Sequence, residues 1–228
     1  MAEEQLYFEQ KDIVQTHLDA LEDIVRSKLQ DDPSTFEGNA FYRDQSFQQV
    51  AELIPKQVQL FTMGSKATSK LCEVGVNAGH SLLLFLLGRR AHGLGQTPIH
   101  CYLFDINEHP YTEPAIEYLR REFPEANIKF FEGDSTAEMP TFVACRPKEL
   151  GTFDVVHVDG GHSEPCIKSD LACAQKLVRP GGHIIVDDTN DPVINSYVDA
   201  ALNTVGRYRE VAPYKELPMY PHRVLQRL

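Results

Sequence analysis

Residues 71–79, Leu-Cys-Glu-Val-Gly-Val-Asn-Ala-Gly, constrain this chain more than any other stretch. They read as an apolar strand running into a glycine-rich turn, and the helical run Ser81–Arg90 follows at once. Such a strand suits the buried interior of a parallel sheet. Small residues at its end let the backbone approach a ligand closely, at the carboxyl edge of a doubly wound α/β fold. Glu73, Gly75 and Gly79 stand in an acid-x-Gly-x-x-x-Gly pattern. A dinucleotide fingerprint would require Gly-x-Gly-x-x-Gly, and Asn77 stands at its second glycine.

The rhythm downstream agrees. Strand candidates at 70–74, 99–104, 127–131, 153–158 and 183–187 alternate with helices, which predicts a parallel sheet with right-handed crossovers. Arg179-Pro180-Gly181-Gly182 reads as the turn into the fifth strand. A helix near 193–204 and two short strands, 207–212 and 222–227, follow it. Upstream, Ile13, Val14, His17, Leu18, Leu21, Ile24, Val25 and Leu29 recur at helical spacing, so a helix is expected over residues 3–30, stopped by Asp32-Pro33. Residues 33–46 are mixed, with Gly38-Asn39 at a turn, and a second helix is expected over 46–61. The predicted organisation is an N-terminal helical extension, residues 1–64, and a sheet domain, residues 65–228. The extension either caps the ligand edge of the sheet or packs on the sheet or on a second copy. A long amphipathic helix suits such a homo-oligomer contact.

Composition narrows the function classes. The 228 residues carry a formal net charge of −11, which argues against a broad phosphate-binding face and hence against a nucleic-acid partner. Five cysteines without a C-x-x-C pair suit reduced structural thiols rather than disulfides or zinc. The first thirty residues are charged throughout, and the longest apolar run, Leu82–Leu87, is too short to cross a bilayer. The expectation is a cytoplasmic protein without a membrane partner.

Acidic residues recur at the predicted strand tips. Asp105 follows the second strand, Asp134 and Ser135 the third, Asp159 and His162 the fourth, and Asp187-Asp188 the fifth. Each has a structural explanation. Asp105 suits a loop, and Asp134 or Ser135 suits a helix N-cap. Asp159 and His162 suit the turn before Glu164-Pro165, while Asp188 and Asn190 suit a cap before Pro192. The functional alternative starts from strand spacing. Neighbouring strands lie about 4.8 Å apart, so the acids of the fourth and fifth would converge. Packed anions raise each other's pKa, and a hard divalent cation such as Mg²⁺ relieves the repulsion. His157 and His183 read as core or edge residues. Tyr214, Tyr220 and His222 lie near the last hairpin without a readable role.

From the glycine motif onward, about residues 65–228, the chain resembles the class I S-adenosylmethionine (SAM) methyltransferases. The fourth-strand acid Asp159 with His162 three residues later, and the fifth-strand pair Asp187-Asp188, resemble the metal-dependent O-methyltransferases. The macrolide-sugar type, with His at that third position and Glu-Asp on the fifth strand, is the closer. The catechol type, with Lys and Asp-Asn, is more distant. Asp187 departs from the sugar type by one methylene.

The resemblance implies a Rossmann-like, seven-stranded, mostly parallel sheet whose last strand lies antiparallel beside the fifth. It implies SAM as cofactor, with Glu73, Gly75, Asn77 and Gly79 in the glycine loop. Asp105 would take the ribose hydroxyls, Asp134 the adenine amino group with Ser135 beside it, and Asn77 and His80 the methionine end. Asp159, Asp187 and Asp188 would hold Mg²⁺ or a similar cation, with His162 and Asp159 as the catalytic pair and His162 as base. The substrate would be a small hydroxylated molecule: a sugar, a vicinal diol or a phenol. Two other readings stay open, a metal-independent SAM methyltransferase using His162 alone and a non-catalytic SAM-binding interaction protein.

Overall fold

The computed structural model describes residues 2–29, 50–211, 217 and 219–228. The expected Asp32-Pro33 stop, the segment 33–46, the start of the second helix and Tyr214 lie outside the described residues. The chain forms two compact units, one of Met1–Thr68, Val76–Pro98 and Asn107–Ile128, the other of Ser69–Gly75, Ile99–Ile106 and Lys129–Leu228. The predicted extension 1–64 thus groups with two later segments in the first unit.

That first unit is helical. It contains α1 (Ala2–Glu9), α2 (Lys11–Leu29), α3 (Ile54–Met63), α4 (His80–Arg89) and α5 (Thr112–Glu122). The single helix expected over 3–30 is interrupted at Gln10, whose N–H is shared between the carbonyls of Leu6 and Tyr7. Helix α3 carries Pro55 in its first turn, where a missing N–H costs no helical hydrogen bond. Every residue of α4 is buried. It crosses α3 closely: a Cβ on Gly88 would stand 1.8 Å from the Phe61 carbonyl oxygen. Arg89 is buried and donates to the carbonyls of Ala67, Thr68 and Thr97 at 2.5, 3.2 and 3.0 Å.

The second unit is built on the sheet. Its strands are β1 (Lys70–Val74), β2 (Ile99–Asp105), β3 (Ala126–Glu132), β4 (Phe153–Val158), β5 (Val178–Val186), β6 (Tyr208–Glu210) and β7 (Arg223–Arg227). The order is β3-β2-β1-β4-β5-β7-β6. The pairs β1–β2, β1–β4 and β4–β5 are parallel, while β7 runs antiparallel to both β5 and β6. Chain order reverses between β1 and β4, the switch point where open α/β sheets leave a crevice at their carboxyl ends. Strand β5 begins five residues before the expected 183. Arg179-Pro180-Gly181-Gly182 is a bulge inside the strand rather than a turn before it, since Phe153 pairs with Val178 but Val155 with His183.

Helices α6 (Ser135–Cys145), α7 (Glu164–Leu177) and α8 (Pro192–Leu202) bury Met139, Phe142, Ile167, Leu171, Ile194 and Val198 in the same core as Cys72, Val156 and Ile184. Phe104 stacks on Phe131 at 4.8 Å between centroids, with Phe142 edge-on at 5.4 Å.

The amino ends of β1 and β4 are tied by one carboxylate. Asp154 accepts from the Ser69 and Lys70 amides at 2.5 and 2.9 Å, the Ser69 hydroxyl at 3.0 Å and Arg179 Nε at 2.7 Å. Burial alone would raise its pKa. The Lys70 amide, the Arg179 guanidinium and the Ser69 donors outweigh that and hold it below the usual aspartate range. A depressed folded pKa gives stability that is complete above the unfolded value and lost as pH falls through the folded one. Asp154→Asn is therefore expected to cost about 2–4 kcal/mol at pH 7 and to flatten the stability curve below about pH 4. Urea unfolding of both proteins at pH 7 and pH 3.5 checks this, and equal slopes on the acid side would contradict it.

Candidate active site

The carboxyl ends of β1, β4 and β5 carry a row of charges. Glu73 pairs in register with His157, and His157 with Ile185. Both Glu73 and His157 are fully buried, and Asp187 nearly so. His157 Nδ1 lies 2.9 Å from Glu73 Oε1, and its Nε2 lies 3.4 Å from Asp187 Oδ2. Burial opposes a charge on this imidazole, but the carboxylates of Asp187 and Glu73, with Asp159, overcome it and push the pKa up to about 10. His157 is thus the core residue the sequence implies, hydrogen-bonded to Glu73 and within ion-pair distance of Asp187.

Two strand-like bonds carry the chain past the sheet. The Asp159 amide donates to the Val74 carbonyl and the Asp187 amide to that of Val158, each at 2.9 Å. They bring Asp159 and Asp187 to one edge, where ligand atoms of His157, Asp159 and Asp187 lie within 4.8 Å of one another. Gly75 closes the turn beneath them. Its φ is +80°, and a Cβ there would stand 1.8 Å from the Asp159 carbonyl oxygen. Only glycine fits.

Asp188 has a positive φ of 51°, and its amide donates to Asp187 Oδ1 at 2.8 Å. Its Oδ2 receives His162 Nε2 at 2.8 Å. Of the predicted site residues, Asp159 and Asp187 therefore meet as a pair, and Asp188 and His162 as a second pair on the same edge.

The helices that follow take their caps from other residues. Helix α7 is capped by Ser163, whose Oγ accepts from the Cys166 amide, and α8 by Asp191, which accepts from Val193 and Ile194. Neither Asp159, His162 nor Asp188 is spent as a cap. Asp134 is: its side chain accepts from the Thr136 amide at 2.8 Å and hydroxyl at 2.7 Å, and those bonds hold its pKa below the usual range.

Asp105 ends β2 half-buried, and its carbonyl accepts from Gly133 at 2.9 Å, which joins the tips of β2 and β3. Ser135 donates to Asp170 Oδ2 at 3.0 Å. Asn77 and Gly79 belong to the helical unit, where both have positive φ, 48° and 75°. Gly79 is the N-cap of α4, and a Cβ on it would stand 2.9 Å from Leu119 Cδ1. His80 beside it is buried, and burial lowers its pKa to about 4, leaving it neutral.

Sequence reasoning placed the acids but missed Asp170. The signal was present, because Asp170 falls at helical spacing with Ile167, Leu171, Ala174 and Leu177, on the apolar stripe of α7.

Comparisons with known proteins bear on the family and the fold. The methyltransferase domain family matches residues 72–189, more than half of the chain. No curated protein matches it by sequence search. The O-methyltransferase TomG from Streptomyces achromogenes, in complex with SAM, is similar in structure, with TM-score 0.60 and 17% identity over 92% of this chain and 89% of that one. CalS11, a TDP-rhamnose 3'-O-methyltransferase, has TM-score 0.57 and 15% identity over 96% and 94%. MycE, in complex with Mg and S-adenosylhomocysteine (SAH), has TM-score 0.53 and 17% identity over 82% of this chain and 52% of that one. At these identities the structural likeness speaks to the fold, and the fold is the expected seven-stranded Rossmann-like sheet. With the glycine motif, the strand order and the matched region in agreement, the chain belongs to the methyltransferase domain family, as a class I SAM-dependent methyltransferase.

Proposed function

We propose that the protein methylates a hydroxyl oxygen of a small molecule, with a divalent cation held by Asp159, Asp187 and Asp188. The observation that carries this reading is the approach of Asp159 to Asp187 while the adjacent helices take their caps from Ser163 and Asp191. The donor set fits a hard divalent cation. Asp159, Asp187 and Asp188 are oxygen donors at one edge, and His157 and His162 are their nearest basic partners. SAM supplies an activated methyl group, and a bound cation supplies charge stabilisation to the oxygen that attacks it.

The chain's own work is orientation and proton handling. Asp105 offers a carboxylate to ribose hydroxyls. Asp134 and Ser135 stand at the tip of β3 for the adenine end. Asp188 holds His162 by Nε2, which leaves Nδ1 as the atom to take the hydroxyl proton. MycE was solved with Mg and SAH, which supports a cation here, and CalS11 is a TDP-rhamnose 3'-O-methyltransferase, which supports a sugar hydroxyl as acceptor.

One observation favours a second reading. The 2.8 Å pairing of Asp188 with His162 makes a base with its orienting carboxylate that needs no cation. Calorimetric titration of SAH, with Mn²⁺ and after EDTA, followed by turnover on sugars, diols and phenols, separates the two. SAH binding together with a saturable Mn²⁺ site that stimulates turnover is expected. Turnover indifferent to EDTA would transfer the mechanism to His162 and Asp188 alone, and no SAH binding would end both readings.

A further inference from the structure

Asp170 has no part in the reading above. It is 1% exposed, on the buried stripe of α7. A carboxyl in that position gives up hydration and needs partners in return. Oδ2 accepts from Ser135 Oγ at 3.0 Å. The same oxygen would lie 2.9 Å from a Cβ on Gly160, so only a glycine lets the loop from Asp159 to His162 run this close over it. Oδ1 is buried and has no hydrogen-bond partner among the described residues. Burial first, and then the charge of Asp134, push the Asp170 pKa up to about 6 against the pull of the Ser135 hydroxyl.

Asp170 also lines a cavity of about 10 Å³, shared with Asp159, His162, Asp187 and Asp188 and floored by Ile167 and Ile194. That volume is about what a single water requires, and the lining is polar enough to hold one.

We propose that Asp170 is a positioning residue for the cation site, its Oδ1 accepting a hydrogen bond from a water in this cavity that belongs to the cation's own shell. The proposal rests on the cation reading above. A water polarised by a divalent cation is a strong donor, and it seeks a buried acceptor with lone pairs to spare. Asp170 Oδ1 is such an acceptor, on a residue that lines the cavity beside the loop that carries Asp159. The charge of Asp170 adds to that of the three acids at the cavity and favours a cation there at longer range. Its Oδ2 bond to Ser135 fixes the carboxyl and leaves Oδ1 as the acceptor for the water.

The test is Asp170→Asn in the full chain, with Mn²⁺ as the probe. The amide is isosteric and keeps an oxygen for Ser135, but it removes the charge and one acceptor. Mn²⁺ affinity, read by calorimetry, is expected to fall about 10-fold or more, while SAH affinity stays within about twofold and the melting temperature does not drop. Unchanged Mn²⁺ affinity in a folded variant would overturn the proposal. So would parallel losses of Mn²⁺ affinity, SAH affinity and melting temperature, the mark of a merely structural residue. Failure of the unsubstituted protein to bind Mn²⁺ would sink the cation reading itself, a separate result. Should the asparagine variant not fold, Asp170→Ser poses the same question with a smaller side chain.

Discussion

Asp159→Ala is expected to lower turnover by about 100-fold or more, and to abolish Mn²⁺ binding, while SAH affinity stays within about threefold. The backbone at this point is fixed without the side chain, because the Asp159 amide is bonded to Val74 and the Gly75 turn packs against its carbonyl. Losing the carboxylate should therefore leave the fold intact. It also reduces the repulsion that Asp187 feels at the same edge, so the variant should melt no lower than the parent. Steady-state kinetics, metal titration and a melting curve on one preparation check all three. Turnover within about twofold of the parent would show Asp159 to be a turn residue, the role its position before α7 first suggests.

Much of this arrangement is legible in the sequence because burial and periodicity dictate it. Strands β1 and β4 fall where their largely apolar runs place them, 70–74 and 153–158, since a strand covered on both faces is mostly apolar. The bulge in β5 was not legible. Pro180 and two glycines signal a turn locally, and only pairing with β4 decides that the strand starts at Val178 before them. The interruption at Gln10 was equally hidden, for nothing in the residue type breaks a helix.

At the site, acids at strand tips could be read, but their division of labour could not. Asp134, Ser163 and Asp191 all precede helices with the right side chain for capping, and only the backbone angles show which are used. His157 shows the limit in another form. Its place within an apolar strand predicts burial correctly. Its raised pKa, however, depends on Glu73 and Asp187, which lie 84 and 30 positions away in sequence and meet it only through the parallel registers. Asp170 was the converse, a local anomaly on an apolar stripe whose partner Ser135 is supplied by another helix.

The proton step rests on His162. His162→Gln is expected to cost about 100-fold or more in kcat, with Mn²⁺ and SAH binding retained. The side chain is 57% exposed and pairs with Asp188 among the described residues, so the substitution should leave stability within about 0.5 kcal/mol. Glutamine keeps a donor for Asp188 yet cannot accept a proton. The loss should then appear in kcat, with KM within about threefold of the parent. Asp188→Asn distinguishes the two arrangements of this edge. If Asp188 serves only to orient His162, the variant keeps its Mn²⁺ affinity and loses rate. If Asp188 also holds the cation, rate and Mn²⁺ affinity fall together. A full rate in His162→Gln would assign the proton to another acceptor and leave His162 as a wall of the cavity.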